Sequence, residues 1–329
     1  MKRVIICSVL LGMFFTLCFS VDAQQSSKIP RIGYVSTTSD SNNPGPNVET
    51  FKRKLRDLGY IEGNNILSEY RYIEGKMDRT PGLVAELLQL KVDVVVVNGL
   101  TPVRIAKQAT MTIPIVMVTT QDPVATGLVD SLARPGGNLT GLTSLARDLS
   151  GKRLELLKEV APKVSRLAVL WNADEEGAAI ALKEYEAAAL SQKIQLQSLG
   201  IRAPNPDLDG AFQTGVKGRA TALITITGSL LGGKAKPIAD LAIKNRLPSM
   251  YESSRYVQAG GLMSYSASET ESYNRAAVYV DKILKGAKPA DLPVEQPTKF
   301  EFAINLKTAK QLDLTIPQSV LYRADKVIK

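Results

Sequence analysis

Apolar and polar positions along this chain fall into blocks that read as strand, polar loop and helix, repeated many times. RIGYVS at 31–36 is a β-rich run that breaks into Ser36, Thr37 and Thr38, and an amphipathic stretch follows at 48–58. A strand at 66–72 and a helix at 80–89 lead into 92–97, a valine run with one Asp, the pattern of a strand covered on both faces. That run ends at Asn98, Gly99, Leu100 and Thr101, with Pro102 placed to begin the next helix. The stretch 113–141 opens on an apolar run and breaks at Thr119, Thr120, Gln121 and Asp122. It predicts a helix over 124–133 before Pro135, Gly136 and Gly137. A buried strand that ends in a polar loop presents its polar groups at the carboxyl end of a parallel sheet, where open α/β folds bind ligands. Ser36, Asn98 and Thr119 therefore predict three loops converging on one sheet edge.

The rest of the chain repeats the pattern, with helices expected at 151–160, 178–190 and 207–215 and strands at 166–171, 194–201 and 222–227. A short strand at 248–251 precedes Glu252 and Ser253, and GGLMSY at 260–265 predicts a passage back between lobes. A helix at 269–284, a proline-bearing connection at 289–299, a strand at 300–305 and a helix at 307–312 complete it. The expected fold is α/β: two similar lobes with parallel sheets, facing a shared cleft. The lobes are expected at 29–145 with 266–292, and at 146–265 with 293–329.

Composition agrees with two folded domains: 329 residues, 44% hydrophobic and 22% charged. The first residues stand apart. Lys2 and Arg3 precede an apolar run, and Val21-Asp22-Ala23 gives a small-residue cleavage pattern, so residues 1–23 read as a cleaved secretory signal peptide. The run is shorter than the roughly 20 apolar residues that span a bilayer. Cys7 and Cys18, the two cysteines of the sequence, both lie in this leader. The mature chain is then expected to lack disulfides and thiolate chemistry, which fits a bacterial envelope and a periplasmic location. A net charge of +9 comes from Lys and Arg spread beside acids rather than gathered in a block. That is a solvated surface of mixed sign, and no nucleic-acid partner is expected.

The sequence contains no histidine, which removes histidine triads and histidine-ligated metals. Asp174, Glu175 and Glu176 cluster after a strand, either as paired carboxylates or as acids favoured at a helix start. Gly228 to Ala235, GSLLGGKA, matches a phosphate-binding loop except at Ala235, where a magnesium-holding hydroxyl is required. It reads as a Gly-rich connection. Ser36, Asn98, Thr101, Thr119 and Thr120 could hold a carboxylate and Asp122 an ammonium, which would suit a zwitterion; each alone could equally be a cap or turn.

DPVATGLVDSLARPGGNLTGLTS, KRLELLKEVAPKVSRLAVLWN, AGGLMSYS and the terminal LPVEQPTKFEFAINLKTAKQLDLTIPQSVLYRADKVI together resemble ABC-transporter substrate-binding proteins of the type I periplasmic-binding-protein fold. The subgroup includes tryptophan and tyrosine binders. The resemblance implies two Rossmann-like lobes with parallel central sheets, joined by three crossings and closing by a hinge around one solute, and delivery to a membrane permease driven by a cytoplasmic ATPase. It places binding loops at Ser36 and Thr37, Asn98 and Thr101, and Thr119, Thr120 and Asp122. In the second lobe it places them at Trp171, Asn172 and Asp174, at Thr227 and Gly228, and at Tyr251 and Glu252. Trp171 or Tyr251 could stack on an aromatic solute, or serve as core. The expected function is a monomeric receptor without enzymatic activity or cofactor, taking an amino acid or related carboxylated solute. A sensing module that signals to a membrane protein is the alternative.

Overall fold

Four consecutive valines, Val94 to Val97, lie at the centre of a parallel sheet with at most 1% of their surface exposed. Such burial on both faces explains why this strand shows no alternation. In the computed structural model the described residues are 28–37, 40–144 and 147–329. The leader 1–23, with Cys7 and Cys18, lies outside them.

The first sheet takes β1 (Arg31–Ser36), β2 (Leu67–Tyr72), β3 (Val94–Asn98), β4 (Ile115–Thr119) and β5 (Leu139–Thr143) in the order β2-β1-β3-β4-β5. All of its pairings are parallel. Helices α1 (Gly45–Asp57), α2 (Thr80–Gln89) and α3 (Leu100–Ala109) connect the strands. Pro46 and Pro81 stand in the first turns of α1 and α2, where a missing N–H costs no helix bond.

The second region holds α4 (Arg147–Val160), β6 (Arg166–Asn172), α5 (Glu176–Ser191), β7 (Gln195–Ile201), α6 (Leu208–Lys217) and β8 (Ala222–Thr225). Then come α7 (Ser229–Gly232), α8 (Ala235–Lys244), β9 (Ser249–Tyr251), α9 (Ser254–Gln258) and β10 (Met263–Ala267). After α10 (Glu269–Leu284) the chain ends with β11 (Phe300–Asn305), α11 (Leu306–Gln311), α12 (Gln318–Leu321) and β12 (Lys326–Ile328). The second sheet runs β12-β11-β10-β9-β8-β6-β7, with β11 antiparallel to β10 and the other pairings parallel.

Although β10 and β11 both belong to the second sheet, α10 between them packs on the first. Its Tyr273, Ala276, Ala277 and Val280 share a core with Ile32, Val94 and Val116. The chain thus passes between the sheets after β5, after β10 and before β11. GGLMSY is not itself a passage, because Met263 to Ala267 are laddered into the second sheet and the turn to the first begins at Ser268. There the Ser268 hydroxyl accepts from Glu271 N at 3.3 Å and caps α10.

The expected helix over 124–133 is also absent. Thr126 N reaches Asp122 O at 3.0 Å to close a single turn, and Gly127, at φ 69°, stops it in the left-handed region. What remains is a run of turns that wraps back toward Pro135, whose carbonyl accepts from Asp130 N at 3.0 Å.

Candidate ligand-binding cleft

The carboxyl ends of the two sheets face each other across a cavity of 210 Å³. From the first sheet, the loops after β1, β3 and β4 bring Thr37, Asn98, Thr101, Thr119 and Thr120 to its wall. Asn98 Nδ2 donates to Thr37 Oγ1 at 2.8 Å while Asn98 Oδ1 accepts from Thr37 N at 3.1 Å. This reciprocal pair locks two loops together. Gly99 adopts φ 86°, which lets the chain turn from β3 directly into α3. In the β4 loop the Thr119 hydroxyl donates to Gln121 Oε1 at 3.2 Å, and the Thr143 hydroxyl donates to Gln121 O at 2.7 Å.

The second lobe supplies Thr227, Gly228 and Glu252 as expected. The Glu252 carboxylate is the centre of a buried network. It accepts from Arg153 Nη1 at 2.9 Å, from the Tyr185 hydroxyl at 2.8 Å and from Thr227 N at 3.0 Å. Arg153 Nε donates to Tyr265 O at 2.7 Å. Burial works against the Arg153 charge, yet Tyr185 and Glu252 hold its guanidinium protonated above its ordinary value.

Six expected residues do not line the cavity. Ser36 is buried at the end of β1, its carbonyl accepting from Ile73 N at 2.9 Å. Asp122 is directed to its own loop, where Oδ1 accepts from Val124 N at 2.9 Å and Ala125 N at 3.1 Å, a local cap. Trp171 donates its indole N–H to Ser198 Oγ at 2.7 Å and lies against Gly200. Asn172 Oδ1 accepts from Asp174 N at 3.1 Å. Asp174 pairs with Arg202 and accepts from Ala203 N at 2.9 Å. Tyr251 is fully buried and stacks on Tyr256 at 4.7 Å between centroids.

Among the residues that sequence reasoning missed are Arg153, Arg255, Glu269, Tyr256 and Tyr273, all of which line the cavity. Burial pushes both tyrosine hydroxyls up, so Tyr256 and Tyr273 stay neutral at physiological pH. Arg153 had one legible signal: it lies four residues from both Leu149 and Leu157, on the apolar face of α4.

The Gly-rich stretch at 228–235 forms no phosphate cradle. The Glu175 side chain packs where a Cβ on Gly228 would stand, so the loop already faces a carboxylate, and Lys234 is exposed. The acidic cluster disperses likewise: Asp174 turns to Arg202, Glu175 to Gly228 and Glu176 to Arg104. Among the described residues, no group of three or more His, Cys, Asp or Glu is placed to hold a metal.

The comparisons with known proteins turn on residues 44–328, which match the family model described as ABC transporter substrate binding protein. The chain belongs to that family. The family is a ligand-binding class rather than an enzyme class. This substrate-binding protein is similar to a tyrosine-binding protein of Clostridioides difficile, 28% identical over 80% of this chain and 75% of the relative. Its fold matches an ABC domain in complex with L-Trp from Streptococcus pneumoniae: 23% identity, TM-score 0.81, covering 91% of this chain and 99% of that one. A conserved domain protein from Vibrio cholerae matches with 25% identity and a TM-score of 0.82, covering 91% and 100%. These likenesses bear out the type I periplasmic-binding-protein fold.

Proposed function

We propose that this chain is an extracytoplasmic receptor that captures a single amino acid, aromatic in its side chain, and hands it to the membrane permease of an ABC importer. The observation that carries the reading is the cavity itself. It is walled by both sheets at their carboxyl ends, with charges of both signs beside Leu142, Ile226, Ala181, Tyr256 and Tyr273. Its 210 Å³ is below the roughly 300–1,000 Å³ of pockets for drug-sized ligands, a size suited to an amino acid rather than a peptide. The tyrosine-binding relative and the L-Trp complex support the same class. Such a ligand would bridge the lobes and shift them toward the closed state, because only that state contacts it from both sides. Export on the leader 1–23 belongs to this reading, which places the receptor in the periplasm as a monomer.

A thermal-shift screen of residues 24–329 against amino acids, small carboxylates, nucleosides and sugars tests the class. A ligand at about 100 times its dissociation constant should stabilise the fold by about 2.7 kcal/mol. L-Tyrosine or L-tryptophan should stand out. A shift from a sugar or nucleoside alone would remove the amino-acid assignment and leave the fold untouched.

A further inference from the structure

The charged side chains that line the cavity, among the described residues, are Arg153, Glu175, Glu252, Arg255 and Glu269. Three of them are engaged elsewhere. Arg153 and Glu252 satisfy each other inside a network closed by Tyr185, Tyr265 O and Thr227 N, and their side chains are 3% and 11% exposed. Glu175 packs on Gly228 and has a partner of its own. Arg255 and Glu269 differ. Their side chains are 28% and 39% exposed, and Arg255 Nη2 stands 3.9 Å from Glu269 Oε2. That is close enough for attraction and too far for a hydrogen bond, so neither group spends its hydrogen-bonding capacity on the other.

Glu269 is held in place by its surroundings. The Ser253 hydroxyl donates to Glu269 Oε1 at 2.7 Å, leaving Oε2 on the Arg255 side. Glu269 is the first residue of α10, which packs on the first sheet, while Arg255 sits on α9 beside the second. The two residues follow β9 and β10, adjacent parallel strands of the second sheet, so cation and anion stand side by side at one end of the cleft, next to the passage at Ser268. An α-amino acid carries its carboxylate and ammonium on one carbon, so it needs an acceptor and a donor side by side.

Resting on the amino-acid reading above, we infer that Arg255 and Glu269 form the zwitterion clamp of this site, Arg255 taking the ligand carboxylate and Glu269 the ammonium. Asp122, to which the sequence pointed for the ammonium, is occupied by its own turn. The clamp makes the receptor specific for ligands that carry both charges.

Calorimetric titration of the full mature chain with L-tyrosine, tyramine and 3-(4-hydroxyphenyl)propionate tests this. The last two lack the carboxylate and the ammonium respectively. Wild type should bind L-tyrosine and lose at least about tenfold with either truncated ligand. Glu269→Gln should weaken L-tyrosine by about tenfold yet leave 3-(4-hydroxyphenyl)propionate unchanged; Arg255→Gln should weaken L-tyrosine and leave tyramine unchanged. Unaltered melting temperatures of the ligand-free variants control for folding. If either variant weakens L-tyrosine and its matched truncated ligand by the same factor, that residue does not see the missing group and the clamp is wrong. If wild type binds neither L-tyrosine nor L-tryptophan, the amino-acid reading fails first, and the clamp with it.

Discussion

Arg104, on α3 beside the first sheet, reaches across the cleft mouth to Glu176 at the start of α5, with Nη2 3.0 Å from Oε1. Neither residue lines the cavity. The pair can form only when the lobes are together, so it favours closure without touching the ligand. Both side chains are partly exposed, at 36% and 49%, and exposed pairs contribute little. Arg104→Ala should therefore weaken ligand affinity by about two- to fivefold, expressed mainly as faster dissociation. Stopped-flow dissociation measures this, and the charge swap Arg104→Glu with Glu176→Arg should restore much of the loss.

Gly177 is the neighbouring point of closure. Gln121 Nε2 donates to Gly177 O at 3.3 Å, and a Cβ on Gly177 would stand 3.0 Å from Gln121 Cδ. Because Gln121 is a flexible side chain, Gly177→Ala should be mild. Gly177→Val should wedge the mouth, costing about tenfold or more in affinity while leaving the fold of each lobe intact. Small-angle scattering should show a larger radius of gyration for the valine variant in saturating ligand.

Arg153 and Glu252 test the inner wall. Removing one partner of a buried pair strands the other charge, so Arg153→Met should cost about 3–5 kcal/mol of stability in urea unfolding. Arg153→Met combined with Glu252→Leu should recover part of it, since the stranded carboxylate is then gone.

Arg275 and Glu295 carry a pH signature. Arg275 Nε is 2.8 Å from Glu295 Oε2, joining α10 to the last passage between the sheets. Burial alone would raise the Glu295 carboxyl, but the Arg275 guanidinium overrides it and holds it below its ordinary value. A depressed carboxyl stabilises the fold above its unfolded-state pKa, about 4.3, and that contribution is lost as pH falls through the folded value. Arg275→Gln should thus lower the melting temperature at neutral pH, with the gap to wild type closing on acidification below about pH 4. A gap that does not depend on pH would assign the loss to packing against Tyr279 instead.

The parts of the chain that were legible in sequence are those where local pattern and tertiary role coincide. Val94 to Val97 declare a doubly covered strand, and Asn98, Thr101 and Thr119 follow strand ends and reach the cavity as that position requires. Asp122 misled because an acid after a strand end can serve a ligand or its own turn, and composition does not separate the two. Arg153 was hidden in KRLELLKE, where alternating charges resemble a solvated face although the residue is 2% exposed. Arg255 and Glu269 lie on different elements, and only the parallel pairing of β9 with β10 sets the residues that follow those strands beside each other. The cavity's aromatic side chains are likewise Tyr256 and Tyr273 rather than Trp171 or Tyr251, a matter of which face each element turns inward.

Equilibrium dialysis of the mature chain against labelled L-tyrosine addresses the central claim most directly. A single saturable site per chain, micromolar or tighter and displaced by unlabelled L-tryptophan, is the expected result. No retained label, with a sugar or nucleoside bound instead, would contradict the account of the cleft as an amino-acid site.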